Sequence, residues 1–336
     1  MANTIKVPWK TLVFYRNCLP SAHAAIYDAI YDGLCSWKEE IPVPSGASFS
    51  EVADIYTMVI RDHPMLFHVR SSTVRGAVGR TITVYPDYVM TPARFAEAER
   101  QVSGFLTRCK KQTAEYNAFE KARILHDSMV RHIVYYGIHE DKSHSVLGAI
   151  LDRKGVCESI AKAYKLTCDV CLVPCIVVFG DGSESDGRNA PEENHAWNMV
   201  QLDGKWFNVD ATNDAVLSEY AETGSIRYDY FCRSDRVIAG DHRVITRYKP
   251  RSLQDFSMYR LRKQVVGSQA DADRVIGGFV GAGVLSFSFE YAPDGAAGDR
   301  LERWIGEALS RKAKAYSSYT LSMNEICGVA AVSLQK

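Results

Sequence analysis

Apolar residues recur at helical spacing in the first part of the chain. Ser21–Trp37 carries them three and four positions apart, and Ser48–Pro64 opens with Ser-Phe-Ser-Glu, a capping-box pattern. A further helix is predicted from near Pro92. Another is predicted over Ala114–Gly137, and its closing glycine is typical of a helix end.

Alternation of apolar and polar residues predicts the strands. Arg80–Val89 is rich in β-branched residues and alternates, which predicts a strand or hairpin. His195–Leu202 and Lys205–Thr212 also alternate, and they flank Asp203-Gly204, a strong hairpin signal.

The pattern changes near the C terminus. Strands are predicted over Ser257–Gly267, Val284–Ala292 and Tyr319–Gln335, with helices over Ser268–Gly283 and Asp299–Lys312 between them. This β-α-β-α-β order predicts a small α+β module over residues 251–336. We expect an N-terminal mixed α/β region over residues 1–110 and a core over residues 111–250.

Length and charge limit the classes of function. A chain of 336 residues favours more than one domain, and its 40 basic and 40 acidic residues give no net charge. Without a basic excess we expect no nucleic-acid partner. No apolar stretch is of membrane-spanning or signal-peptide length, so we expect no membrane partner and a cytoplasmic location. The nine cysteines are then expected to be reduced thiols.

Cys157 falls at the start of a predicted helix. Apolar residues follow at one-face spacing, at Ile160, Ala161, Tyr164 and Cys168. Gly155 is expected to supply an unusual backbone angle just before it. Unpaired N–H groups in a first helical turn lower a thiol pKa and can stabilise an oxyanion. The pattern therefore favours a nucleophile over an ordinary buried thiol.

A histidine and a carboxylate fall on one face of the predicted hairpin. If Leu202 pairs with Lys205, then Trp197 faces Asp210 and His195 faces Thr212. His195 and Asp210 are then diagonal neighbours within reach of each other. They supply the base and the orienting group that a nucleophilic cysteine needs.

The two blocks GVCESIAKAYKLTC and NHAWNMVQLDGKWFNVDATND resemble the transglutaminase-like superfamily of papain-related cysteine proteins. The resemblance covers about Lys121–Asp214, and Tyr230–Val244 also looks like the tail of bacterial members. It implies an α+β fold with a papain-like, transglutaminase-type core, in which a helix bearing the cysteine packs on an antiparallel sheet. It also implies that Cys157 is the nucleophile, His195 the general base and acid, and Asp210 the orienting carboxylate.

Some positions depart from the pattern of many bacterial relatives. Ser159 and Ile160 stand where those relatives have glycine and an aromatic residue, and Asn213 stands in place of tryptophan. We expect these changes to alter the wall of the substrate cleft. Trp197 and Glu158 are predicted to contribute to that cleft.

Other clusters have plainer interpretations. Cys168, Cys171 and Cys175 have metal-like spacing but no fourth ligand nearby, so neither a metal nor a cofactor is expected. His132, His139 and His144 are expected to have surface or core roles. The acidic segment Gly180–Asn194 is interpreted as a solvated loop, with a gating role at the cleft rim as the alternative.

The predicted function is a cysteine hydrolase or acyltransferase that cleaves peptide or protein amides through a thioester. Peptide hydrolysis is favoured because no feature marks a lysine tunnel, and protein-glutamine transamidation is the alternative. A competing class is a non-catalytic module that binds a peptide or partner in the same cleft. Self-association through the C-terminal module is a further possibility.

Overall fold

The described chain contains both α-helices and β-strands from its first part to its last. The structure is a computed structural model that describes residues 11–70, 75–78, 81–136, 141–182, 194–219, 225–291, 297–313 and 315–335. The α-helices are α1 (Phe14–Cys18), α2 (Ser21–Cys35), α3 (Phe49–Asp62), α4 (Pro92–Gln112), α5 (Ala118–His132), α6 (Cys157–Val170), α7 (Ala211–Glu219), α8 (Asp235–Ile238), α9 (Met258–Leu261), α10 (Gln269–Gly281) and α11 (Ala297–Lys312). The strands are β1 (Ile41–Pro42), β2 (Arg75–Val78), β3 (Ile82–Tyr85), β4 (Val134–Tyr135), β5 (Lys154–Gly155), β6 (Cys175–Asp181), β7 (His195–Leu202), β8 (Lys205–Val209), β9 (Phe231–Arg233), β10 (Arg243–Val244), β11 (Val265–Val266), β12 (Ser286–Tyr291), β13 (Ser318–Asn324) and β14 (Val329–Gln335).

The N-terminal helices begin where their capping residues predict. The Ser48 side chain accepts a hydrogen bond from the Glu51 backbone N–H, and the Glu51 carboxylate accepts one from the Ser48 N–H. This reciprocal capping box confirms the predicted start of α3. Strands β1, β3 and β2 form a small antiparallel sheet beside these helices.

An antiparallel sheet of five strands carries α6 on one face. The strand order is β10-β6-β7-β8-β9. The Asn198 side-chain amide on β7 donates to the Ala161 carbonyl of α6 at 2.9 Å and to the Ile176 carbonyl of β6 at 3.1 Å. This buried amide ties the helix to the sheet. The predicted α+β class, with the Cys157 helix packed on an antiparallel sheet, is confirmed.

The hairpin register is the predicted one over the length of β8. Leu202 pairs with Lys205 in β7 and β8. Asp203 and Gly204 have φ values of 50° and 75°, and a two-residue type I′ hairpin turn requires a positive φ at both positions. The predicted pairing of His195 with Thr212 is wrong, because β8 ends at Val209 and Thr212 lies in α7. Helix α7 starts directly after Asp210 because the Asp210 carboxylate accepts hydrogen bonds from the N–H groups of Thr212 and Asn213.

The C-terminal part forms a four-stranded sheet in the order β11-β12-β14-β13. The last predicted strand is a hairpin of two strands, β13 and β14. Most of the predicted strand Ser257–Gly267 is wrong. The Ser257 hydroxyl accepts from the N–H groups of Tyr259 and Arg260 and so starts α9, which leaves only β11 extended.

Two other boundaries differ from the sequence prediction. Helix α5 starts after Asn117, whose side chain caps it, and ends at His132 rather than at Gly137, which lies outside the described residues. The expected loop Gly180–Asn194 begins later, because Gly180 and Asp181 belong to β6. Most of that loop, residues 183–193, lies outside the described residues.

Two large hydrophobic clusters, and a small third one of Ala161, Val177 and Ala196, hold the described chain together. The first joins the N-terminal helices to the five-stranded sheet and includes Tyr15, Val59, Tyr164 and Trp197. The second fills the C-terminal sheet and its helices. Cys327, in the β13–β14 turn, belongs to the first cluster, so this turn packs against the core. The domain boundaries given above stay predictions.

Among the described residues, no helix has both the length and the apolar character needed to cross a membrane. The cytoplasmic location stays a prediction.

Candidate active site

Cys157 is the first residue of α6. Val156 precedes it in an extended conformation, with no side chain capping the helix. The sulfur therefore lies at the end of a fourteen-residue helix whose first N–H groups have no intrahelical partner. Seven of the nine cysteines are buried, whereas Cys157 and Cys18 are partly exposed. Cys157 thus has the accessibility that a nucleophile needs.

Gly155 serves close packing rather than an unusual backbone angle. It is absent from the residues with positive φ, so the expected special conformation is wrong. A Cβ at this position would lie 2.7 Å from both Cβ and Oγ of Ser159. The glycine lets the strand before Cys157 lie directly against α6.

Ser159 and Ile160 are fully buried, so they do not form an exposed cleft wall. The Ser159 hydroxyl donates to the Ser145 carbonyl at 2.5 Å and accepts from the Ala149 N–H at 3.0 Å. The serine therefore fastens the preceding turn to α6. The expectation that these two positions alter the cleft wall is wrong.

His195 and Asp210 are in direct contact. His195 Nε2 lies 2.6 Å from Asp210 Oδ2. Asp210 Oδ1 accepts from the backbone N–H groups of Thr212 at 2.9 Å and Asn213 at 3.1 Å. The start of α7 therefore fixes one carboxylate oxygen, and the other oxygen points at the imidazole.

The Cys157 thiol also lies close to His195. Cys157 Sγ lies 4.0 Å from the carbonyl oxygen of Asn194, the residue before His195. Because Asp210 occupies Nε2, Nδ1 is the ring nitrogen that remains for the thiol. The structure thus brings the three predicted catalytic residues together, although their catalytic roles stay predictions.

The surroundings favour a protonated His195. Burial would lower the pKa of His195, but the charge and hydrogen bond of Asp210 outweigh it, and with a contribution from Cys157 they raise this pKa to about 10. Burial would raise the pKa of Asp210, but His195 and His242 hold it well below its usual range. The His195 imidazolium and the Asp210 carboxylate therefore form an ion pair at neutral pH.

Trp197 lies beneath the imidazole. It is 1% exposed, its ring stacks on His195 with centroids 5.8 Å apart, and its Nε1–H donates to Asn208 Oδ1 at 3.2 Å. Its predicted contact with substrate stays a prediction. Its observed contacts are internal and orient the His195 ring.

Glu158 is also engaged within the protein. Its carboxylate lies 2.9 Å from His144 Nδ1 and 2.6 Å from Lys162 Nζ. Burial would raise the pKa of Glu158, but Lys162 and His144 lower it to about 2. The carboxylate is ionised at neutral pH, and its predicted role in the cleft stays a prediction.

The sequence analysis did not single out His242, which also contacts Asp210. His242 Nε2 lies 3.0 Å from Asp210 Oδ2. It belongs to the Tyr230–Val244 stretch that resembles bacterial relatives, and that stretch was the available signal.

His195, Asp210 and His242 offer three ligand atoms within 4.8 Å of one another, which invites a metal interpretation. The fit is poor. Two ligands held about 2.0–2.1 Å from a tetrahedral zinc ion would be about 3.3 Å apart. The His195–Asp210 distance of 2.6 Å is that of a charged hydrogen bond instead.

The cysteine and histidine clusters considered in the sequence are not brought together as metal sites among the described residues. Cys168, Cys171 and Cys175 are buried in the core at the end of α6 and the start of β6. Of the three histidines, His144 contacts Glu158, His132 ends α5, and His139 lies outside the described residues.

Distant similarity to solved structures accompanies this geometry. A candidate cysteine protease from Cytophaga hutchinsonii aligns with 21% identity and a TM-score of 0.29, covering 33% of this chain and 38% of that one. The periplasmic domain of TgpA from Pseudomonas aeruginosa aligns with 18% identity and a TM-score of 0.28, covering 43% and 57%. A structure described as a TGase aligns with 13% identity and a TM-score of 0.31, covering 61% and 59%.

The aligned regions span less than two thirds of each of these chains, and such low TM-scores carry no argument about activity. A comparison with curated proteins found no match. A family model gives the more specific result: the model described as the transglutaminase-like superfamily matches residues 105–211, which include all of α6, β7 and β8. The chain therefore carries a domain of the transglutaminase-like superfamily over residues 105–211.

Proposed function

We propose that the chain is a cysteine hydrolase that cleaves peptide or protein amides through a thioester. The observation that carries the proposal is the 2.6 Å contact between His195 Nε2 and Asp210 Oδ2, with Cys157 as the other partner of the same imidazole. Each group has one chemical task in this arrangement.

In the first half-reaction, the Cys157 thiolate attacks the amide carbonyl carbon. The carbonyl oxygen becomes an oxyanion, and the backbone N–H groups at the start of α6 stabilise it. The His195 imidazolium then gives its Nδ1 proton to the departing amine. The C–N bond breaks, an amine leaves, and an acyl thioester remains on Cys157.

In the second half-reaction, water attacks the thioester. Neutral His195 takes a proton from the water, and the carbon–sulfur bond breaks. The products are a carboxylic acid and the Cys157 thiolate, once more paired with protonated His195. Asp210 stays ionised and holds the ring orientation throughout.

Pulse labelling with iodoacetamide at pH 6 tests the activated thiol. Cys18 is a matched control within the chain, because it is also partly exposed and burial raises its pKa. We expect Cys157 to be alkylated much faster than Cys18, and we expect His195→Ala to remove this difference. Equal rates for the two cysteines in the wild type would instead favour a binding module.

Competition between water and an amine tests hydrolysis against transamidation. A glutamine-containing peptide library is incubated with the protein, with and without a primary alkylamine. We expect shortened peptides with free carboxyl ends to dominate even when the amine is present. Amine-linked peptides as the main product would assign the chain to the transamidating branch.

A further inference from the structure

A second imidazole shares the Asp210 carboxylate with His195. His242 Nε2 lies 3.0 Å from Asp210 Oδ2, the same oxygen that His195 Nε2 approaches at 2.6 Å. The His242 side chain is 1% exposed, and its ring packs edge-on against Trp197 with centroids 4.8 Å apart. No substrate could reach His242 without displacing the core around it.

The other nitrogen of His242 faces another carboxylate. His242 Nδ1 lies 2.6 Å from Asp241 Oδ1. An ionised carboxylate can only accept, so each ring nitrogen must carry a proton to donate. Burial would lower the pKa of His242, but the hydrogen bonds to Asp210 and Asp241 raise it. Both nitrogens of this buried ring therefore face carboxylate oxygens, and these contacts favour the protonated ring.

This arrangement is anchored at its far end. The Tyr230 hydroxyl donates to Asp241 Oδ2. The strand that follows His242, β10, pairs with the end of β6. At Gly180 of β6, a Cβ would collide with the Arg243 carbonyl oxygen and lie 2.8 Å from Trp197 Cη2. A glycine at this position lets β10 come close enough to hold His242 behind Asp210.

We propose that His242 is a positioning residue that fixes the plane of the Asp210 carboxylate and so aims it at His195. The inference rests on the proposed function of the Cys157–His195 pair. Backbone N–H groups hold Asp210 Oδ1, but these bonds alone leave the carboxylate some freedom of rotation about its Cβ–Cγ bond. The hydrogen bond from His242 Nε2 to Oδ2 removes this rotation. Asp241 and Tyr230 hold His242 in turn.

Three substitutions separate the two hydrogen bonds of His242. In His242→Gln the amide nitrogen takes the place of Nε2 and can still donate to Asp210. In His242→Asn the amide nitrogen takes the place of Nδ1 and can still donate to Asp241. His242→Phe keeps the ring against Trp197 and removes both donors.

The readout is the rate of Cys157 alkylation by iodoacetamide at pH 6, which needs no known substrate. We expect the alkylation rate to fall about tenfold in His242→Asn and His242→Phe. Loss of a residue that orients a metal ligand lowers activity about 10- to 100-fold, and we take the lower end for this orienting contact. We expect His242→Gln to stay within about threefold of the wild type. Thermal melting by circular dichroism checks that each variant is folded.

The outcomes distinguish this inference from the proposed function. If wild-type Cys157 is fast, His195→Ala is slow and all three His242 variants match the wild type, the positioning role is wrong and the proposed function stands. Equal losses in the Gln and Asn variants also overturn it, because a purely structural role would not distinguish the two donors. If wild-type Cys157 reacts no faster than Cys18, both proposals fail.

A fourth substitution covers the case in which the His242 variants do not fold. Tyr230→Phe removes only the hydroxyl that holds Asp241. We expect a two- to fivefold fall in the Cys157 alkylation rate, with Cys18 unchanged. An unchanged Cys157 rate would count against a chain of contacts that reaches Asp210 through Asp241 and His242.

Discussion

At the scale of single residues, the candidate site brings buried groups of opposite charge into contact. His195 contacts Asp210, and the buried His242 contacts both Asp210 and Asp241. Each buried ion is tolerable because it has a partner of opposite charge within hydrogen-bond distance. Removal of Asp210 is therefore expected to change the protonation of His195.

The protonation of His195 gives a direct prediction. The side chain has a pKa raised to about 10 in the folded protein, above the ordinary 6.5, so its ring stays protonated through neutral pH and loses its proton only as pH rises towards 10. In Asp210→Asn the main cause of this rise is gone, and we expect the midpoint to fall by more than one pH unit. NMR titration of histidine ring protons measures both midpoints, with Cys157→Ser as the control for the thiol's contribution. A midpoint near 6.5 in the wild type would contradict the ion-pair interpretation.

Some contacts within the candidate site could be predicted from the sequence and others could not. His195 and Asp210 could be paired from the sequence because Asp203-Gly204 fixes the register of a local hairpin. His242 could not, because it meets Asp210 only through the pairing of β10 with β6, a contact between segments about sixty residues apart. Ser159 was assigned to the cleft because sequence shows a residue type but not the direction of its side chain.

At the scale of elements, close packing before α6 sets the position of Cys157. We predict that Gly155→Ala destabilises the fold by about 1–3 kcal/mol, because its Cβ would overlap Ser159. We also expect slower alkylation of Cys157, which lies two residues further on. Denaturant unfolding gives the free energy, and pulse labelling gives the rate.

The double variant Gly155→Ala/Ser159→Gly is the control for this prediction. Ser159→Gly alone costs stability through its lost hydrogen bonds to the preceding turn. In that background, the added cost of Gly155→Ala should shrink, because the atoms it would meet are gone. Strictly additive costs would show that the overlap with Ser159 is not the cause.

The close approach of β10 to β6 allows a similar test. Gly180→Ala should displace β10 because the new Cβ would meet the Arg243 carbonyl and the Trp197 ring. We expect both a lower melting temperature and slower alkylation of Cys157, since His242 directly precedes β10. Gly204→Ala is the comparison: the site is open and lies in the hairpin turn, so it should affect stability through its φ of 75° but leave the Cys157 rate unchanged. A Gly180→Ala protein with normal thiol reactivity would contradict this link.

The boundaries of elements were harder to predict than their existence. Helix α3 began where its capping box indicated, because a cap is a local interaction. Helix α5 stopped at His132 because the next residues pair in β4 with β5, a tertiary contact that helical spacing does not reveal. The prediction of a strand over Ser257–Gly267 was mostly wrong because the Ser257 side chain caps a short helix, α9, within that stretch.

At the scale of the whole molecule, the C-terminal sheet reaches the core through the turn of its β13–β14 hairpin. The Asn324 side chain donates to Asp229 Oδ2 at 3.1 Å and accepts from the Cys327 N–H at 3.1 Å. The buried Arg233 guanidinium contacts Asp255 at 2.9 Å and reaches the Cys327 carbonyl. Because Tyr230 lies next to Asp229 in the chain, this turn supports the segment that holds Asp241.

We predict that Asn324→Ala destabilises the folded protein by about 1–3 kcal/mol, since it removes one hydrogen bond to the buried Asp229 carboxylate and the acceptor of the buried Cys327 N–H. Ser318→Ala is the matched control, because Ser318 bonds Gln335 at the exposed, open end of the same hairpin. We expect that control to stay within about 0.5 kcal/mol of the wild type. Equal unfolding free energies for the two variants would show that the turn contributes nothing specific.

The most direct test of a nucleophilic Cys157 is to trap the thioester. The protein is mixed with p-nitrophenyl acetate, quenched in acid within the first turnover, and mapped by peptide mass spectrometry. We predict one acetyl group on Cys157 together with a burst of p-nitrophenolate, and we predict that His195→Ala abolishes both. Acetylation of Cys157 no faster than that of Cys18, or a burst that persists without His195, would contradict a Cys–His–Asp enzyme.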